Sequence, residues 1–186
     1  MRRSVQYSKQ VVAAILLTAA FSVPRAAAGA EVDALLERLQ ATDVPEWETI
    51  EDQIWQEWSK SGSPAMDLLL KRGRDAMTEG DFAAAVEHFT ALTDHAPDFA
   101  EGWNARATAY FSLKLYGPSI ADIQRTLTLN PRHFGALNGL GLMLEELGYA
   151  ADALRAYRAA AKLHPHRPEL KEAIKRLDLR VEGIDL

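Results

Sequence analysis

Residues 96–131 read APDFAEGWNARATAYFSLKLYGPSIADIQRTLTLNP, a stretch that opens and closes on the same step. Among the eight prolines, those of three steps, Ala96-Pro97, Asn130-Pro131 and His164-Pro165, stand 34 residues apart. Proline lacks an N–H and disfavours the α conformation in the residue before it, so each step ends a helix. Other positions hold the same register. Phe89, Ile123 and Tyr157 are bulky; Ala85, Ser119 and Ala153 are small; Gly73, Ala107 and Gly141 are small; Leu69, Trp103 and Leu137 are large; Ala76, Tyr110 and Leu144 complete the series. Small positions let two antiparallel helices approach, and large ones fill the space between neighbouring pairs. A fixed period of this length without insertions marks stacked helical units that bury a core only by packing on one another.

The pattern resembles the tetratricopeptide repeat, which runs W-x2-L-G-x2-Y, then A-x3-F, then P. The units fall at 66–99, 100–133 and 134–167. The resemblance implies an all-α fold: a right-handed α-solenoid of three helix-turn-helix units. One departure is informative, because the usual leucine seven positions into the unit is Arg72 in the first repeat and Arg106 in the second. A charge facing a helix pair needs a partner. Asp122 lies on the second helix of the same unit, which predicts an Arg106–Asp122 ion pair. Asp98 and Glu101 read as a capping box opening the second unit. Ser63-Pro64 places a cap residue before a first-turn proline.

Both ends of the array carry further helical patterns. At 31–62, Val32, Leu35, Leu36 and Leu39 form one apolar stripe, and Trp47, Ile50, Ile54 and Trp58 form another. Trp55 and Trp58 fall where the family places its aromatic and its second alanine, and Pro64 is one place out of register. This segment reads as a helical hairpin, a degenerate repeat hiding the open end of the array. Its three tryptophans also offer a docking surface, by which the chain would self-associate. At 168–181, Leu170, Ala173, Ile174 and Leu177 share one face of a capping helix, with Glu169, Lys171, Glu172, Lys175, Arg176 and Asp178 on the other.

The first 28 residues read as an export signal. Arg2, Arg3 and Lys9 precede an apolar run at 11–23, and Ala26, Ala28 and Ala30 fit a small-residue cleavage rule. The run is short for a bilayer span, which takes about 20 residues. Cleavage after Ala28 would leave 17 basic residues against 26 acidic ones, a charge of −9. A chain without cysteine that is exported suits a bacterial periplasm better than a compartment whose proteins lean on disulfides.

Composition narrows the function classes. The chain has 186 residues, 48% hydrophobic and 25% charged, with a formal charge of −5 and no cysteine. No basic stripe points to nucleic acid. The absence of cysteine excludes disulfides, thiolate metal sites and a cysteine nucleophile. No phosphate-binding glycine loop, H-E-x-x-H or G-x-S-x-G occurs. His133, His164 and His166 read as structural rather than as a metal site. The expectation is a non-enzyme without cofactor or metal.

What the resemblance offers is a concave groove lined by the first helix of each unit, suited to a protein or peptide partner. Carried over, the lining residues are Leu70, Arg74 and Met77; Asn104, Thr108 and Phe111; and Asn138, Leu142 and Glu145. Asn104 and Asn138 occupy equivalent places and could bond a bound backbone. Glu145 and Glu146 suggest a basic segment in the ligand. Some family members grip the acidic tail of heat-shock chaperones with a carboxylate clamp of Lys, Asn and Arg. The matching positions here hold Leu70, Arg74, Ala105, Gly135 and Gly139, so the clamp is absent. The expected role is a periplasmic interaction scaffold in envelope complex assembly.

Overall fold

The computed structural model describes residues 25–183, and all nine regular elements among them are helices. They are α1 (Arg25–Leu39), α2 (Trp47–Trp58), α3 (Pro64–Glu79), α4 (Phe82–His95), α5 (Ala100–Ser112), α6 (Tyr116–Leu129), α7 (Phe134–Glu146), α8 (Ala150–Leu163) and α9 (Pro168–Glu182). Residues 1–24, which hold most of the expected export signal, lie outside the described residues. No described helix is long and apolar enough to cross a membrane.

From α3 to α9 each helix packs on the next in chain order, and α5 also meets α3 and α7. The turn inside each unit is made the same way. Gly80 and Gly148 take left-handed backbone angles, φ +79° and +85°. Lys114 takes the equivalent angle in the middle unit, φ 60°, where a side chain is uncommon.

Within each unit the close approach of the two helices depends on a missing side chain. A Cβ on Gly73 would come within 2.6 Å of Phe89 Cδ1, and one on Gly141 within 2.6 Å of Tyr157 Cδ1. The middle unit has Ala107 and the slimmer Ile123 instead, both buried. The methyl group gained on one helix is offset by the ring lost from the other. Ser119 completes this pair, its hydroxyl donating to the Ala107 carbonyl at 2.7 Å. At the end of the array α9 covers α8, burying Leu170, Ala173 and Leu177 against Leu154, Tyr157 and Ala160.

Two local expectations change. The first helix of the middle unit is not opened by a capping box. Phe99 holds the cap position without a side-chain bond. Glu101 turns inward, and Asp98 faces Arg125 at 3.4 Å. Helix starts are capped instead by Asp81, which accepts from the Ala84 N–H, and by His133, which accepts from the Ala136 N–H. Ser63 sits at the cap position of α3 but makes no cap bond.

The larger change concerns the hairpin α1–α2. It does not stack on α3 as one more repeat. Its own core of Leu35, Leu36, Leu39, Ile50 and Ile54 is closed by Phe134 at the start of α7 and by Leu163 at the end of α8.

Candidate partner-binding site

The first helices α3, α5 and α7 carry the nine residues expected to line the groove, but they differ in what they can offer. Leu70 is 2% exposed and belongs to the core between the first two units, so it is not a groove residue. Asn104 is also buried, and its amide donates to Glu101 Oε2 at 3.1 Å rather than facing a ligand. Met77 packs partly into the core beside Leu70. Arg74 is spent on Glu101 at 2.6 Å and on Ser59 Oγ at 3.0 Å. Glu145 accepts from Arg176 at 2.7 Å and from the Tyr157 hydroxyl at 3.2 Å. Glu146 accepts from Lys114 at 3.0 Å and Tyr116 at 2.5 Å. The acidity proposed for this end of the groove is therefore already neutralised from within.

The surface left for a partner is Thr108, Phe111, Asn138 and Leu142. Leu142 is 44% exposed. Thr108 is exposed, and Phe111 and Asn138 are half-buried. Phe111 lies edge-on to Tyr116, ring centroids 6.0 Å apart, with the Lys114 ammonium 5.0 Å from its ring. Phe111 also packs in part against the core of Ala107, Ile123, Ala136 and Met143.

The other half of the concave side is covered by α2. The helix runs crosswise, from the α8–α9 junction at Trp47, over the start of α7 at Trp55, to Arg74 of α3 at Ser59. Trp55 lies where Gly135 leaves room, since a Cβ there would meet Trp55 Cη2 at 2.5 Å. Trp58 stacks on the His133 ring with centroids 4.3 Å apart. Trp47 meets His164 edge-on at 5.3 Å and lies parallel to His166 at 6.4 Å. The three tryptophans are thus half-buried against the chain's own array.

Two buried carboxylates organise this half. Glu101 accepts from Arg74 and Asn104, and contacts His133 Nε2 at 3.1 Å. His133 Nδ1 accepts the Ala136 N–H, so its proton sits on Nε2 and is donated to Glu101. Glu51 of α2 contacts His164 Nε2 at 2.9 Å and accepts from Trp55 Nε1 at 3.0 Å and from Arg167. Burial works to raise the Glu51 pKa, but hydrogen bonds from His164, Arg167 and Trp55 outweigh it and hold the group at about 2. Asp33 of α1 adds an exposed pair with Arg132 at 2.8 Å.

Sequence reasoning did not find Glu51, Glu101, His133, His164 or Arg167 as a set. The contacts that join the hairpin and the units span 27 to 116 residues, and although His133 and Arg167 share one register position, the residue type there does not repeat. A second polar node lies in the middle unit. Arg106 donates to both Asp122 oxygens, at 2.7 and 2.9 Å, and to Thr93 Oγ1 at 2.9 Å. Its guanidinium lies 4.8 Å from the Trp103 ring. The Asp122 hydrogen bonds hold the Arg106 pKa above its ordinary value. This node is structural and faces away from the groove patch, and Arg72 at the equivalent place is exposed.

Sequence and structure comparisons agree with this geometry. A sequence model described as tetratricopeptide repeat matches residues 70–117 and 116–168. A TPR repeat-containing protein of Rhizobium etli is 33% identical over 135 residues, covering 73% of this chain and 66% of that protein. The bovine protein SGT1 homolog is 34% identical over 113 residues, or 60% of this chain and 33% of its own length. The chain thus spans just under two thirds of one relative and about a third of the other. Among solved structures, the first TPR of Spaghetti (RPAP3) bound to the HSP90 peptide SRMEEVD superposes with a TM-score of 0.61 at 21% identity, over 63% of this chain and 93% of that one. The Sgt2 TPR domain of Aspergillus fumigatus gives 0.62 at 20% identity, over 66% and 83%. At these identities the structures establish a shared fold.

Proposed function

The chain belongs to the tetratricopeptide repeat family, and from that premise we propose that it is an exported, periplasmic scaffold that holds a segment of a partner protein in the open half of its groove, in the assembly of an envelope complex. The observation that carries the reading is the patch of Thr108, Phe111, Asn138 and Leu142. Leu142 is 44% exposed on a helix whose other apolar residues are used in packing. An aromatic and a leucine left on one concave surface suit an apolar anchor of a bound segment. The first TPR of Spaghetti (RPAP3), which shares the fold, is bound to an HSP90 peptide, and this supports reading the chain as a binder of peptide segments. A chaperone tail is not the proposed ligand. The positions that would grip its carboxylates hold a buried leucine, an arginine already paired, an alanine and two glycines.

Export is proposed from the basic-apolar-small order of the first 28 residues. The test is photocrosslinking with a photoreactive residue at position 111 of the exported protein, followed by mass spectrometry and cell fractionation. A dominant protein adduct in the periplasmic fraction is expected. No adduct at 111, or a chain retained in the cytoplasm, overturns the binding or the localisation respectively.

A further inference from the structure

Resting on the reading of the concave side as a protein-binding groove, we propose that His133, Phe134, Gly135, His164 and Arg167 form a second site that takes an amphipathic helix. Its resident occupant is α2, and a partner helix bearing the same ridge exchanges with it.

The ridge is Trp47, Glu51 and Trp55, four residues apart and so on one face of the helix. Each member has its own receptor. Trp47 lies against His164 and His166. Glu51 meets His164 and Arg167, one imidazole and one guanidinium for one carboxylate. Trp55 fills the space over Gly135 and packs edge-on to Phe134 at 5.4 Å. A helix is therefore read by one carboxylate flanked by two indoles, with shape supplied by a glycine and charge by Arg167. A ligand lacking the carboxylate leaves the buried His164 Nε2 unpaired and Arg167 with Glu169 alone, which gives the site selectivity.

Three features make α2 an exchangeable occupant rather than a fixed part of the array. It does not pack on α3, the next helix in the chain. It joins α3 through Ser59-Lys60-Ser61-Gly62-Ser63, where Gly62 takes φ +83° and the other side chains are small or exposed. Its docking joins an apolar face, Ile50 and Ile54 against Leu36 and Phe134, to a polar one that is imperfectly satisfied, because His164 Nδ1 is buried without a hydrogen-bond partner. The ionic contacts of Glu51 also fix the orientation of the helix on its site.

The test uses the full chain and a fluorescein-labelled synthetic peptide of residues 45–61, read by fluorescence anisotropy. The wild-type chain is expected to bind it weakly, because the site is filled. Glu51→Ala in the chain loosens the resident helix and is expected to tighten peptide binding by about tenfold or more. Adding Arg167→Ala to that variant is expected to abolish the gain, as is placing alanine at the Glu51 position of the peptide. Equal binding by wild type and Glu51→Ala, or a gain that survives Arg167→Ala, overturns the proposal. Amide hydrogen exchange on the unmodified chain gives a readout that no substitution can confound. Exchange in α2 faster than in α5 and α7 supports the proposal, and equal protection overturns it. A partner captured at position 111 with no gain in Glu51→Ala sinks this inference alone. A gain in Glu51→Ala with nothing captured at 111 sinks the groove reading alone.

Discussion

Trp55 and Gly135 are complementary across the chain: the indole of α2 occupies the volume that any side chain at 135 would fill, 2.5 Å from where a Cβ would stand. Gly135→Ala is accordingly expected to lift α2 from the array. Alanine favours helix over glycine by up to about 1 kcal/mol, but overpacking a filled site costs about 1–3 kcal/mol. The net expectation is a loss of stability, with red-shifted tryptophan emission as Trp55 and Trp58 reach water. An unchanged spectrum and a raised urea midpoint would show that the indole can move aside without cost.

Two other glycines make a controlled pair. A Cβ at Gly73 meets the Phe89 ring within 2.6 Å, whereas one at Gly139 finds its nearest neighbour, Ile123 Cδ1, at 3.9 Å. Gly73→Ala is expected to destabilise by about 1–3 kcal/mol as the ring is forced out. Gly139→Ala is expected to stabilise by as much as about 1 kcal/mol through helix propensity. Urea unfolding of both variants checks the contrast, and equal midpoints would refute the close-approach account.

The Arg106–Asp122 pair gives a third prediction. The two side chains are 13% and 7% exposed, so removing one strands the other. Asp122→Ala is expected to cost about 3–5 kcal/mol. Replacing both, as Arg106→Leu with Asp122→Ala, is expected to recover much of that loss, since leucine is what the repeat usually carries there. A double-mutant cycle by chemical denaturation measures the coupling. A sum equal to the two single effects would mean the pair is not coupled.

Glu51 sets the acid limb of stability. Its carboxyl is held at about 2 against an ordinary 4.5, so the folded state binds this proton less readily than the unfolded chain does. Its contribution is complete above pH 4.5 and disappears as pH falls from 4.5 towards 2. The magnitude is on the order of 3 kcal/mol. Glu51→Gln should flatten the profile across that window and lower stability at neutral pH. Parallel acid limbs for wild type and variant would assign the loss to other carboxylates.

The array was legible because its physics is local and repeated. Prolines at 97, 131 and 165, and the small residues 73, 107 and 141 set against 89, 123 and 157, report on helix ends and helix approach within a single period. The hairpin was legible as two helices but not in its place. Its apolar stripes show that it buries a face, and nothing in Leu36 or Ile54 says against what. Glu101 illustrates the same limit at one residue. Its spacing from Asp98 satisfies a cap rule, yet Arg74, Asn104 and His133 offer it three partners, and the better satisfied arrangement wins. Of the expected lining residues, Thr108 and Leu142 are exposed, as their register implies. The burial of Leu70 and Asn104 depends on neighbours that register does not encode.

The five-residue connection between α2 and α3 has a consequence for any competitor. A ligand attached this closely to its own site acts at an effective concentration of about 1 mM, without any affinity beyond that of the free helix. A soluble rival of equal intrinsic affinity present at about 1 μM would occupy the site roughly one time in a thousand, a handicap of about 4 kcal/mol. Only a rival that is itself held nearby, or that also grips the patch at Phe111 and Leu142, can close that gap. Under the proposed exchange, the tether makes the site answer to a rival with two simultaneous contacts and ignore either contact alone.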